Sequence, residues 1–312
     1  MKLFSKKQRP GWLCLNLHES RIDLSHVLVA GKARPEVLLC ESFQKAGSDV
    51  DTLKRLRRDL DLNRYQCVTL LKPRDYQFLP VDAPNVPADE ARNAVRWSIK
   101  DVIDYPVDAA AVDAVHVPGG GSGGSGGRAA QMLVVAARND MIAALVKPFN
   151  DADIGLEVID VPELAQRNLA RLLETEGRGL ALLDFDDSGA LLTFTSGGEL
   201  YQARRIDISL RDFAAPAAAD ELYDRITLEL QRSLDHFDRQ FRNVAVSKLV
   251  ISPVPEGERL VEYLKSNLTV PVELLDLEKV LDFPGVPELR NPLRQSQCLQ
   301  MIGAAMREEH AA

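Results

Sequence analysis

The sequence predicts an α/β protein in which one architecture is built twice. Three observations carry this. Short apolar stretches at 11–18, 21–30 and 37–43, joined by tight turns, read as an antiparallel meander of three strands, and 180–185, 190–195 and 200–208 read as a second. Each meander runs on into helix and strand units, the pattern of a mixed sheet flanked by helices. The 312 residues, 46% apolar and 27% charged, supply the core for about two domains of ~150 residues each. A plan that occurs twice in order is more informative than any single motif in the chain.

The first half is justified as follows. Trp12, Leu13, Cys14, Leu15 and Leu17 form the first strand, Ile22, Leu24 and Leu28 mark the second, and a turn at 31–35 leads into Val37, Leu38, Leu39, Cys40 and Phe43. Residues 50–62 form a helix with Leu53, Leu56 and Leu60 on one face and Lys54, Arg55, Arg57 and Arg58 on the others. Residues 67–71 return to a strand. From Asp75 the chain is punctuated by Pro80, Pro84 and Pro87, and the last of these opens a helix to about 103. Its apolar face is Ala91, Ala94, Val95, Ile99 and Val102. Strands at 111–117 and 131–137 flank a Gly/Ser tract at 119–127. The tract satisfies G-x-G-x-x-G trivially, and a strand rather than a helix follows it, so it reads as a hairpin linker, natural or introduced. A helix at 139–150 and a strand at 156–161 complete this part.

The second half has turns at 186–189 and 196–198 within its meander. A helix at 220–242 carries Leu222, Ile226, Leu230, Leu234, Phe237 and Phe241 at steps of three and four. A strand at 248–252, a helix at 256–267, a strand at 270–275 and a last helix at 294–307 follow. Cys298, Met301, Ile302 and Ala305 face inward from that last helix.

Composition excludes several function classes. Lys plus Arg number 38 against 46 for Asp plus Glu, a net charge of −8 that argues against nucleic acid as a partner. No apolar run approaches the ~20 residues of a membrane span, and the basic start at 1–10 lacks the apolar stretch of a signal peptide, so the expected location is the cytoplasm. Cys14, Cys40, Cys67 and Cys298 form no C-x-x-C pair and are expected as free, buried thiols rather than metal ligands. No G-x-S-x-G elbow is present, and no catalytic residue is assigned. Asp184, Asp186 and Asp187 read as a polar turn in preference to a metal site. Arg55, Arg57 and Arg58 read as a solvated helix face. Trp97 reads as a core or half-buried aromatic in preference to a partner anchor.

Several passages nevertheless resemble a known family. They are 87–90 with Asn93-Ala94-Val95-Arg96-Trp97-Ser98-Ile99-Lys100-Asp101-Val102-Ile103-Asp104-Tyr105-Pro106; Leu133-Val134-Val135-Ala136-Ala137-Arg138 with Val158-Ile159-Asp160-Val161-Pro162-Glu163; Leu182-Leu183-Asp184; Glu229-Leu230-Gln231-Arg232-Ser233-Leu234-Asp235-His236-Phe237; and Gly303-Ala304-Ala305-Met306-Arg307. Together, in order, they resemble the actin-like ATPase superfamily, and within it the PilM family of type IV pilus assembly proteins, its MSHA-type members most of all. The resemblance implies an actin-like (ribonuclease H-like) fold of two related halves, 11–178 and 179–312, with a helix-strand subdomain inserted at about 75–160 and a basic tail at 1–10. It implies a cytoplasmic scaffold, recruited to the inner membrane by the cytoplasmic tail of a pilus assembly protein and linked to the motor platform; that no cofactor is expected follows from this chain's departures from the family's nucleotide site. In the family that tail is held between the first subdomain and the inserted block. Leu3 and Phe4 among Lys2, Lys6 and Lys7 would add attraction to anionic lipid.

The family's nucleotide site needs glycines where backbone approaches phosphate, and this chain departs at each place. An Asp-Ile-Gly-Ser-Ser type of turn is Asn16-Leu17-His18-Glu19-Ser20-Arg21, Asp186 replaces a glycine after Asp184, and the adenosine turn is Ser252-Pro253-Val254-Pro255-Glu256-Gly257. A degenerate site is expected. The alternative is an active ATPase in which Asp184 holds the metal-bound water of Mg-ATP and Ser20 touches a phosphate.

Overall fold

The computed structural model describes residues 8–31, 33–119, 130–214 and 219–307. The basic segment before residue 8 and the Gly/Ser tract from 120 to 127 lie outside the described residues.

Strands β1 (Trp12–Leu17) and β2 (Arg21–Leu28) are buried on both faces; β1 accordingly reads as a near-continuous apolar run, whereas β2 alternates and buries Asp23, Ser25 and His26 on its second face. They pair antiparallel, and β2 pairs antiparallel with β3 (Glu36–Gln44). Strand β4 (Gln66–Leu70) returns parallel to β1. With β8 (Leu156–Asp160) the sheet order is β3-β2-β1-β4-β8. Strands β9 (Gly179–Asp186), β10 (Gly189–Ser196), β11 (Glu199–Ile206), β12 (Val246–Ile251) and β13 (Val272–Leu274) form a second sheet of order β11-β10-β9-β12-β13. There β9–β10 and β10–β11 are antiparallel, while β9–β12 and β12–β13 are parallel. Numbered within each half, both sheets read 3-2-1-4-5, so the duplication expected from the sequence is present in the topology.

By its contacts the chain divides into two compact units, residues 1–44, 64–70 and 160–312, and residues 45–63 and 71–159. In the first unit, α5 (Ala219–Gln240) buries the predicted stripe, and its Phe237 stacks on Phe194 with ring centroids 4.4 Å apart. Helix α6 (Gly257–Asn267) buries Leu260, Val261 and Leu264. Two further helices, α4 (Pro162–Ala170) and α7 (Pro292–Ala305), pack on each other. A Cβ on Gly303 would lie 2.1 Å from the carbonyl oxygen of Ala165, so the crossing requires glycine there. Helix α4 was not expected: Glu163, Ala165, Gln166, Asn168, Leu169 and Ala170 are all buried, so it has no polar face to give a period.

In the second unit, β5 (Tyr76–Asp82), β6 (Ala110–Val117) and β7 (Gln131–Arg138) form an antiparallel sheet of order β5-β7-β6. The sequence reading had only a punctuated segment at β5. Pro80 is accommodated because β5 is an edge strand, where a missing N–H costs no ladder bond. Helix α1 (Asp49–Leu60) begins at a reciprocal cap between Ser48 and Asp51. Its exposed Arg57 pairs with Asp153 beside α3 (Asn139–Asp151), and Arg58 with Asp59, so the basic run is a locally neutralised, solvated face. Helix α2 (Ala88–Ser98) ends five residues earlier than predicted, yet Val95, Ile99 and Ile103 still reach the core beside Met132 and Val134. No helix among the described residues is long and apolar enough to cross a membrane.

Candidate functional site

The candidate nucleotide residues come from three connections in the first unit. The β1–β2 turn is closed by the His18 N–H donating to the Arg21 carbonyl at 2.9 Å, and Glu19 and Ser20 stand exposed at its tip. Its two basic side chains are directed at Asp23: His18 Nε2 lies 2.9 Å and Arg21 Nε 3.0 Å from Oδ2. Burial would raise the Asp23 carboxyl, but the hydrogen bond from His18, a contact with Ser42 and the charges of His18 and Arg21 hold it down at about 2.

Asp184 lies one strand position before the end of the buried part of β9. Gln300 of α7 donates to its Oδ2 at 2.8 Å, and the same amide nitrogen donates to Gln166 Oε1 at 3.0 Å. Gln166 of α4 in turn donates to the carbonyls of Leu182 and Leu191 (2.7 and 3.1 Å) and to Thr193 Oγ1 (2.9 Å). Burial pushes the Asp184 carboxyl up to about 7. Ser252, Gln300 and Arg205 work against that rise, and the charge of Asp186 adds to it. Oδ1 of Asp184 is buried with no hydrogen-bond partner among the described residues. Two part-buried ion pairs lie in the same unit, each with a buried carboxylate: Glu163 with Arg205 (3.1 Å) and Asp160 with Arg307 (2.6 Å), the latter guanidinium also lying 5.8 Å from the Trp12 ring centroid. Asn168 donates to the Gly303 carbonyl at 2.9 Å.

Asp186, two residues beyond Asp184, caps its own turn by accepting the Ser188 N–H at 2.6 Å. At the third connection, Ser252 accepts the Phe185 N–H through its hydroxyl (3.2 Å) and donates its own N–H to the Leu183 carbonyl (2.8 Å), tying β12 to β9. Pro253 and Pro255 offer no N–H. Glu256 sits at φ 54°, a left-handed conformation unusual for a residue with a side chain. Pro255 and Glu256 line a small cleft, about 10 Å³ in volume, with Asp212, Phe213, Leu222 and Tyr223. Phe213 fills one side of it, packed edge-on against Phe185 at 5.2 Å.

Of the two residues named from sequence, Asp184 is thus the centre of a buried polar network and Ser20 is exposed and outside that network. Sequence reasoning missed Gln166, Gln300, Glu163 and Arg205. The one available signal was the run of polar residues in a segment lacking a polar face. Among the described residues no group of three His, Cys, Asp or Glu is placed to hold a metal ion. In the second unit, Trp97 of α2 is 67% exposed, correcting the expectation of a core aromatic, and Val102 beyond it is 57% exposed. Neighbouring Arg96 is held inward by the carbonyls of Val107 and Ala110 at 2.9 and 3.0 Å, so Trp97 falls on the outer face.

No family model and no curated protein matches the chain. Among solved structures it is similar to a chain of the PilM-PilN type IV pilus biogenesis complex, with a TM-score of 0.72 and 22% identity over 96% of this chain and 98% of that one. It is also similar to the cytoplasmic domain of EpsL, an inner-membrane component of the type II secretion system of Vibrio cholerae (TM-score 0.46, 16% identity, 92% and 94% covered). A third is a Bacteroides thetaiotaomicron protein of actin-like ATPase fold and unknown function (TM-score 0.49, 9% identity, 92% and 96% covered). The fold of this protein is the α/β fold of that chain of the PilM-PilN complex, with two sheets of the same strand order and a small third sheet.

Proposed function

We propose that this protein is a cytoplasmic scaffold of a type IV pilus assembly machine of the MSHA type, close to MshI, that binds the cytoplasmic tail of an inner-membrane pilus assembly protein and contacts the motor platform. Its nucleotide site is degenerate in this reading. The observation that carries it is the engagement of Asp184. The carboxyl is buried, bonded to Gln300 and raised toward neutrality, so it is poorly suited to neutralise a hydrated magnesium ion. The other turns agree. Glu19 sets a negative charge at the tip of the β1–β2 turn, and the two prolines after Ser252 remove backbone donors a phosphate or ribose would use. The cleft has room for only about 10 Å³ of solvent, far below the ~300–1,000 Å³ of ordinary ligand pockets. The residues present therefore do not fit Mg-ATP. Likeness in fold to a chain of a complex that joins PilM and PilN supports partner binding as the retained role. Recruitment to the membrane is then by the partner's tail rather than by a span of this chain's own.

The test is a thermal melt with millimolar Mg-ATP, and separately with a synthetic peptide of the partner's cytoplasmic tail. A ligand at a hundredfold over its dissociation constant stabilises the folded state by ~2.7 kcal/mol. The scaffold reading expects a rise in midpoint with peptide and none with Mg-ATP. A saturable rise with Mg-ATP that Asp184→Asn abolishes would put the active ATPase in its place.

A further inference from the structure

Strand β3 is the longest strand among the described residues, nine residues from Glu36 to Gln44, and it is the outer strand of its sheet. Native sheets blunt such an edge with Pro, Lys, bulges or short length. β3 contains no Pro or Lys, and Leu38, Glu41, Ser42 and Gln44 are exposed along it. Its one bulge, where the register shifts between His26 and Val27, lies near the head of the strand. Only that head is covered. Val37 donates its N–H to the Asp282 carbonyl at 2.8 Å and Asp282 donates to the Pro35 carbonyl at 2.9 Å, a single step of parallel pairing. The chain then leaves through Phe283 and Pro284, and Pro284 has no N–H with which to continue. Among the described residues no backbone bond reaches the outer edge from Leu39 to Phe43.

At the head lies an open cleft of about 440 Å³, lined by Arg34, Glu36, Glu278, Asp282, Phe283 and Arg290, which is the size of an ordinary ligand pocket. Its cations are already engaged. Arg34 donates to the carbonyls of Glu278 and Leu281 and lies 3.5 Å from Asp282, and Arg290 lies 4.0 Å from Glu278. Glu36 has no ion pair among the described residues, and neither has Glu41 farther along the strand. The bulge places these two carboxylates on one face of the sheet, because they stand opposite Leu28 and Leu24, four residues apart on β2. Arg294 is bound to Ser42 Oγ at 3.1 Å, and Ser42 points to the opposite face from its neighbour Glu41.

We propose that the outer edge of β3, with the cleft at its head, is a strand-addition site for an extended segment of a partner protein that carries basic side chains four residues apart. The segment continues the sheet through its backbone, and its two cations meet Glu36 and Glu41 on one face. The charge argues against a second copy as occupant, since antiparallel pairing of two β3 edges would set the Glu36 and Glu41 carboxylates of both copies close together.

The probe is the fluorescein-labelled peptide Lys-Val-Thr-Val-Lys-Val-Thr, added to the folded full chain and followed by anisotropy, with hydrogen exchange read by mass spectrometry. Saturable binding is expected, with exchange slowed in β3. Glu36→Gln combined with Glu41→Gln should weaken it about tenfold at low salt. The peptide Lys-Val-Thr-Lys-Val-Val-Thr, whose lysines fall on opposite faces, should bind as weakly to the parent chain. N-methylation of alternate amides should abolish binding in one phase and spare it in the other. No saturable binding, equal affinity for the two peptides, protection outside β3, or a concentration-dependent dimer that protects β3 would each overturn the proposal. Peptide spacing and N-methylation are tested on the unsubstituted chain, so they decide it even if the double variant fails to fold. None of these outcomes bears on the scaffold reading, which its own melt tests.

Discussion

Replacing Asp184 with Asn should make the protein more stable at pH 8 and less stable, by about 1 kcal/mol, at pH 4. The reasoning starts from a carboxyl raised from 3.8 to about 7 by burial. The folded state then holds its proton more tightly than the unfolded chain does. Below pH 4 both states are protonated and nothing is lost. As pH rises from about 4 to about 7 only the unfolded chain releases the proton, so stability falls across that window and stays low above it. The gap, at 1.36 kcal/mol per pH unit, is worth about 4 kcal/mol. Asn keeps an oxygen to accept from Gln300 and cannot ionise. Its amide nitrogen takes the place of the partnerless Oδ1 and returns about 1 kcal/mol of this gain as an unpaired donor. An unfolding entropy near 2.1 cal/mol/K per residue gives about 0.65 kcal/mol/K for 312 residues, so the net ~3 kcal/mol corresponds to a midpoint about 5 °C higher. Melts followed by near-ultraviolet circular dichroism at pH 4 and pH 8, at one ionic strength, measure the difference. If Asp184→Asn lowers the midpoint equally at both pH values, Asp184 is ionised and favourably paired in the fold, and the argument from burial is wrong.

Gly303→Ala should cost at least about 3 kcal/mol in denaturant titration, because its Cβ would meet the Ala165 carbonyl at 2.1 Å. The sign is opposite to the ~1 kcal/mol gain that Gly→Ala brings in an open helix. Asp23→Asn should cost about 1 to 2 kcal/mol at pH 7, after allowance for the solvent reaching His18 and Arg21. Asp23 is depressed to about 2, so that contribution is present above pH 4 and disappears as pH falls through 2, which titration of the melting midpoint reads directly. Trp97→Ala should leave stability within about 0.5 kcal/mol, since 67% of the ring is exposed. Ile99→Ala, two residues on and fully buried, should cost about 2 to 5 kcal/mol in the same assay.

Most of the fold was legible because its signals are local. The stripe of α5 and the doubled meander need only neighbours in sequence to be seen, and both appear where the periodicity put them. The failures share a cause of another kind. Pro80 reads as a breaker unless the strand is known to be an edge, and edge status depends on where β7 pairs.

The site was less legible than the fold for a related reason. A carboxylate after a strand is visible in sequence, so Asp184 could be named. What surrounds it is invisible there: its partner, Gln300, lies 116 residues away on a helix buried nearly all round, where nothing sets a polar residue apart. Glutamines at 166 and 300 look like surface residues to any rule based on composition. Gln166 is buried and Gln300 half-buried because an amide can donate and accept at once, so a chain of two amides satisfies the Leu182 and Leu191 carbonyls, Thr193 and Asp184 without importing a charge. A cation in place of the Gln300 amide would have kept Asp184 ionised. The amide instead lets burial prevail, and Asp184 fastens α7 to β9.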